Sequence, residues 1–153
     1  MKTSLPQDFY LSLTEFLLHA KQQIVGLAAE YGLTSMQALT LLLVGSNEPR
    51  PMNVFSKLYG CDVSNITGII DGLEQKGLVS RQTHPDDRRI KVIQLEPAGQ
   101  KLRQKLAKEL GSQSSSLFGG LSEHEMEQLM HLIQKVASAT TPTVCPLRRL
   151  ARL

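Results

Sequence analysis

Apolar residues in the first part of the chain recur at helical spacing. Leu13, Phe16, Leu17, Ala20, Ile24, Leu27, Ala28 and Tyr31 share one stripe, as residues three and four apart do on an α-helix. The pattern predicts a long helix over about 9–31, closed by Gly32, which takes the positive φ favoured at helix C-termini. Thr34-x-x-Gln37 has the spacing of a capping box and opens a second helix through Ala38, Leu39, Leu41, Leu42 and Leu43. Gly45 to Pro51 is dense in chain breakers and reads as a loop. A short helix is expected from about Val54 to Tyr59, with Asn53 as N-cap and Gly60 at its end. After a tight turn at Gly60-Cys61-Asp62, the residues Val63, Ile66, Ile69, Ile70 and Leu73 form the apolar stripe of a further helix. Its opposite face carries Ser64, Asn65, Thr67, Gly68, Asp71 and Gln75. Two helices joined through a glycine-containing turn, the second with a small polar outer face, describe a helix-turn-helix. An ordinary αα-hairpin gives the same pattern.

The next segment separates these readings. Gly77 ends the helix, Leu78 to Thr83 alternates roughly apolar and polar, His84-Pro85-Asp86-Asp87 has turn composition, and Arg88 to Leu95 is rich in β-branched residues. A β-hairpin placed directly after the second helix makes a winged helix, although the alternation slips at Val92-Ile93. Pro97 suits the first turn of another helix, with Leu102, Leu106 and Leu110 spaced four apart and Gly111 to Ser116 as a place to bend or fray. Ser122-x-x-Glu125 is a second capping box, opening a final helix with Met126, Leu129, Met130, Leu132, Ile133 and Val136. The expected fold class is mainly α with a small β-hairpin wing. A winged helix-turn-helix over about 34–96 sits between N- and C-terminal dimerisation helices at about 5–31 and 97–138, as one unit over 1–138, and 139–153 forms a flexible basic tail. The flanking helices carry more apolar surface than a winged module of about 60 residues can cover, so a second copy of the same chain is the expected partner.

Composition narrows the function. A chain of 153 residues suits one domain. The absence of tryptophan, with only 5% aromatics, argues against a stacking platform for single strands. The net charge is only +3, but between residues 76 and 91 Lys76, Arg81, Arg88, Arg89 and Lys91 face only Asp86 and Asp87. Such a patch is a phosphate footprint if it is not merely a solvated face. The longest apolar run, near Leu39 to Val44, is far too short to span a membrane, and Pro6 and Asp8 interrupt any secretory leader, so a cytoplasmic protein is expected. Cys61 and Cys145 form no paired motif, so neither a disulfide framework nor a four-ligand zinc site is expected. With no phosphate-cradling glycine loop, nucleophile elbow or paired metal motif, the chain is read as a non-enzyme without cofactor.

The ordered string Leu33-Thr34-x-x-Gln37, Ser64-Asn65-Ile66-Thr67-Gly68-Ile69-Ile70-Asp71-Gly72-Leu73-Glu74-Gln75-Lys76-Gly77-Leu78-Val79, Asp87-Arg88-Arg89 and Leu95-x-Pro97-x-Gly99 resembles the MarR family of bacterial transcriptional regulators over residues ~30–137. The resemblance implies a homodimer binding a pseudo-palindromic operator in double-stranded DNA, usually as a repressor, and released by small phenolic or other aromatic effectors or by oxidants. It places Ser64, Asn65, Thr67 and Gly68 in the major groove and an arginine of Asp87-Arg88-Arg89 in the flanking minor groove. The physics is compatible with those roles. Short side chains on a close helix reach phosphates and base edges, and an arginine at a hairpin tip suits the negative potential of a narrow minor groove. Gly68 and Gly72 would leave the groove-facing backbone bare, and Asp87 would orient a guanidinium through a fork-type pair. Two positions depart from the pattern. Gly72 stands where relatives often carry a basic residue, and Glu96 stands where they carry threonine.

Other readings stay open. Cys61 in the turn would be a redox switch if its thiolate formed, or else a structural thiol. His124 and His131, seven apart, share a helix face with too few neighbouring ligands for a metal site to be expected. Tyr10, Phe16, His19 and Tyr31 are placed to line an effector pocket, but none is assigned, and the tail arginines Arg148, Arg149 and Arg152 suit a solvated end. A helical protein–protein interaction module without DNA binding is the reading from another class.

Overall fold

The first turn that the sequence marks by a capping box is built as expected. In the computed structural model, which describes residues 7–45, 49–113 and 115–140, helix α1 (Gln7–Glu30) ends at Gly32, whose φ is +63°, and α2 (Ser35–Leu43) begins behind Thr34. The Thr34 hydroxyl accepts from the Gln37 backbone N–H at 3.2 Å, and the Gln37 side chain accepts from the Thr34 N–H at 3.1 Å. Two N–H groups that a bare helix start would leave unpaired are thereby satisfied.

A two-residue strand, β1 (Arg50–Pro51), leads into α3 (Met52–Tyr59), and α4 (Val63–Gln75) follows the turn at Gly60, where φ is +59°. Pro51 precedes α3, and Asn53 lies inside that helix. The expected side-chain cap is absent, and proline's fixed φ and missing N–H make it a fitting start instead. Strands β2 (Val79–Thr83) and β3 (Lys91–Leu95) form the expected hairpin, with Val79 opposite Leu95 and Thr83 opposite Lys91. The stretch read as a loop contributes the third strand. Arg50 and Pro51 pair antiparallel with Ile93 and Val92, giving the order β1-β3-β2. This accounts for the slip in alternation. β3 is the central strand, and Val92 and Ile93, which point to opposite faces, are both buried.

Helix α5 (Pro97–Gln113) starts on Pro97 as expected and stops where glycine and serine accumulate. A short α6 (Ser115–Phe118) follows, then α7 (Glu123–Thr140). The chain divides into two compact units, one up to Leu117 and one from Phe118. In the first, Leu27, Leu41, Phe55, Ile66, Ile70, Leu73, Ile93 and Leu106 form a contiguous core drawn from helices and sheet. Arg103 of α5 is buried to 6% exposure and donates from Nε to the Leu42 carbonyl at 3.3 Å, at the end of α2 where carbonyls lack helical partners. Burial lowers its pKa, yet an arginine stays charged. In the second unit, Ser122 and Glu125 form the second capping box. The Glu125 carboxylate accepts from the Ser122 N–H at 2.8 Å, which holds its pKa below the ordinary carboxylate value. Residues 141–153, including Cys145, Arg148, Arg149 and Arg152, lie outside the described residues.

Two glycines lie in close packing, one against backbone and one against the end of a flexible side chain. A Cβ on Gly99 would overlap the Leu78 carbonyl oxygen and lie 2.8 Å from its carbon, so α5 meets the base of the wing only because that residue has no side chain. A Cβ on Gly72 would overlap the amide nitrogen of Gln37.

Candidate nucleic-acid interface

The polar face of α4 is displayed by the core on its other side. Ile66, Ile70 and Leu73 are 0–1% exposed, and their burial turns Ser64, Asn65 and Gly68 outward, where all three are exposed. A Cβ on Gly68 would meet nothing within 4 Å, so that position is open. Gly72 is not part of this open face, since it is half-buried and gives room to Gln37 of α2. Thr67 is half-buried, and its hydroxyl donates to the Val63 carbonyl at 2.9 Å, so its proton is already used within the helix. Val63, expected in the buried stripe, is 62% exposed.

The hairpin tip is shaped by its own backbone bonds. The His84 N–H donates to the Ile90 carbonyl at 2.9 Å and the Ile90 N–H to the Asp87 carbonyl at 3.0 Å. The Asp87 carboxylate accepts from the Arg89 backbone N–H at 2.9 Å. Asp87 thus folds the tip rather than clamping a guanidinium, because an Asp side chain reaches the N–H two residues on at little conformational cost. Arg88 and Arg89 are exposed, and neither forms an ion pair among the described residues.

Arg81, counted in the basic patch from sequence, has another job. Its guanidinium pairs with Asp71, with Glu74 at 3.0 Å, and with the Thr67 carbonyl at 3.1 Å, while Glu74 also accepts from the Arg81 backbone N–H at 2.8 Å. The strand of the wing is tied to three successive turns of α4 by one side chain. The signal was present: in β2, Arg81 shares the inward face of Val79, where a cation needs carboxylates. Arg81→Met is expected to lower the unfolding free energy by about 1–2 kcal/mol, a charged hydrogen-bond cluster discounted for partial exposure. Denaturant titration of the variant checks this, and an unchanged midpoint would contradict it.

The remaining candidates are scattered. Tyr10 and His19 are exposed, and Phe16 and Tyr31 are half-buried. The Tyr31 hydroxyl donates to Glu109 at 2.6 Å, with the Lys105 ammonium 4.9 Å from its ring centre; the Glu109 bond chiefly raises the Tyr31 pKa. Cys61 is half-buried against the core. His124 and His131 share an open depression on α7 with Glu127, Gln128 and Leu132. Among the described residues no group of three or more His, Cys, Asp or Glu side chains is placed to hold a metal ion, and no described helix is long and apolar enough to cross a membrane.

Comparison with known proteins adds two findings. Residues 33–91 match the sequence profile of the MarR family. Solved structures with the same fold include a MarR-family transcriptional regulator from Rhodococcus sp. RHA1 (24% identity, 94% of this chain and 100% of that one, TM-score 0.75). CouR from Rhodococcus jostii RHA1 bound to p-coumaroyl-CoA also matches (23%, 94% and 99%, TM-score 0.72). So does a mutant of MepR from a multidrug-resistant S. aureus clinical isolate (22%, 92% and 100%, TM-score 0.71).

Proposed function

We propose that the chain, whose residues 33–91 match the MarR family profile, is a member of that family and a sequence-specific transcriptional regulator that binds a pseudo-palindromic operator in double-stranded DNA as a homodimer. In this reading it is a repressor, cytoplasmic and without catalytic activity, and a small aromatic or phenolic effector releases the DNA. One observation carries the proposal. A helix face bearing exposed Ser64, Asn65 and Gly68 is tied through Arg81 to a wing whose tip holds two exposed arginines that form no ion pair among the described residues. Small polar groups over base edges, with cations reaching along the backbone, are what duplex recognition requires. α4 would lie in the major groove, and Arg88 or Arg89 would reach the flanking minor groove.

Dimerisation is supported within each unit separately. Phe9, Tyr10, Leu11, Leu13, Leu17 and Leu18 of α1 are exposed, and so are Met130, Leu132, Ile133 and Val136 of α7. Apolar faces of that extent on a water-soluble chain mark a surface for a partner, and a second copy supplies complementary faces under two-fold symmetry. The effector class is supported by CouR, whose crystal structure holds p-coumaroyl-CoA.

Hydroxyl-radical footprinting of the gene's own upstream region tests the proposal. The expected result is two protected stretches centred about 10–10.5 base pairs apart, or a multiple of that, one for each α4 of a dimer. An unprotected ladder at saturating protein, in low salt, would contradict it.

A further inference from the structure

Arg103 is the one charged residue buried among the described residues. It is 6% exposed and sits on the core-facing side of α5 between Gly99 and Leu106, the other residues that this helix buries. A buried cation is normally paired, because burial strips away its hydration. Here no carboxylate answers it. Both ion pairs among the described residues belong to Arg81. Helix α2, whose Leu42 carbonyl receives the Arg103 Nε–H, carries no acidic residue. The one acidic residue of α5, Glu109, accepts from Tyr31 instead.

Capping the end of α2 explains only part of this side chain. A cation beside the last carbonyls of a helix is favourable, and the Leu42 bond at 3.3 Å uses Nε. The two Nη atoms carry most of the guanidinium's N–H donors. They make no hydrogen bond among the described residues, yet they are not sealed from solvent. Burial lowers the Arg103 pKa, and no neighbouring charge offsets that. Leu42 and Leu102, beside it at this junction, are half-buried and packed against the core. A ligand here meets a planar fork of donors next to hydrocarbon. That fork matches the two oxygens of a carboxylate.

Resting on the regulatory reading above, whose effector it specifies, we propose that Arg103 anchors an effector site at the junction of α5 and α2 for a small organic carboxylate with a hydrocarbon body. The carboxylate oxygens take the Nη donors, and the hydrocarbon lies against Leu42 and Leu102. The bound anion supplies the counter-charge that the two helices lack. Because α5 flanks the winged module and α2 belongs to it, occupancy of the junction acts on how the module is held.

The test uses the full chain with benzoate, and with benzamide as the neutral probe of the same shape. Isothermal titration calorimetry should show benzoate binding at least about tenfold more tightly than benzamide, the worth of a charge-assisted hydrogen bond. Arg103→Met should abolish that preference. Arg103→Lys, which keeps the charge without the planar fork, should reduce it, and it serves alone if the methionine variant does not fold. Saturating benzoate should weaken operator binding by the wild-type chain by about fivefold or more. The inference is overturned if the wild-type chain binds the two probes equally or binds neither, or if the folded variants keep the full preference. Benzoate that binds through Arg103 but leaves operator affinity unchanged overturns the effector role. Those results leave the regulatory reading standing. A chain that binds benzoate through Arg103 but binds no DNA would instead remove the regulatory reading, and the effector role with it.

Discussion

Gly99→Ala lowers the thermal unfolding midpoint by about 6–12 °C. The expected cost is about 3 kcal/mol for forcing a packed backbone apart, at about 2–4 °C per kcal/mol for a chain of this length. The added Cβ would overlap the Leu78 carbonyl oxygen, which already accepts the Glu96 N–H at 3.0 Å. A flexible side chain would swing aside, but a carbonyl held at the base of the wing moves only if α5 or the hairpin moves with it. Gly111→Ala is the matched control. It lies in the same helix, exposed, with nothing within 4 Å of the added atom. Alanine there should raise the midpoint slightly, since glycine in a helix costs about 0.5–1 kcal/mol relative to alanine. Differential scanning calorimetry at one fixed protein concentration measures both, because a dimer's midpoint depends on concentration. Equal midpoints for the two variants would show that α5 and Leu78 do not approach as closely as the structure has it.

Replacing both Arg88 and Arg89 by alanine should weaken operator binding by about a hundredfold or more. A charge-assisted hydrogen bond is worth about 1.5–3 kcal/mol, and in a two-fold dimer each replacement acts twice. The slope of log affinity against log salt should become shallower by about 0.9 for each phosphate that is no longer neutralised. Neither arginine forms an ion pair among the described residues and both are exposed, so the thermal midpoint should stay within a degree or two. Arg81→Met should behave in the opposite way, losing stability through Asp71 and Glu74 of α4. An affinity unchanged by the double replacement would remove the wing from the interface.

The contrast between these arginines shows where reading the chain alone stops. Both capping boxes, the start of α5 at Pro97 and the helix-ending glycines at 32, 60 and 77 were legible, because each is set by residues a few positions apart. Strand β1 was hidden. Two residues carry no periodicity, proline argues against a strand, and the pairing partner lies 41 or more positions away at Val92 and Ile93. Arg81 looked like part of a basic patch because charge counting does not know that β2 turns it towards Asp71 and Glu74. Gly72 looked like a groove residue, but it is half-buried beside the Gln37 side chain, which sits on another helix. Val63 shares the helical face of Ile66 and Ile70, so spacing assigns it to the stripe. The core nevertheless ends before the first turn and leaves it in the open. The candidate face of Ser64, Asn65 and Gly68 was legible for the converse reason, since three buried neighbours on one helix define the exposed side.

The function proposed for this chain rests on the α4 face and the wing reading duplex DNA in a two-fold assembly. Fluorescence anisotropy with labelled duplexes from the gene's upstream region, against a scrambled duplex at two salt concentrations, puts that to the test. Binding should saturate at two chains per site, with a preference of at least ~10³ over the scrambled control and an affinity that falls steeply as salt rises. Equal affinity for both duplexes, or no binding even in low salt, would contradict it.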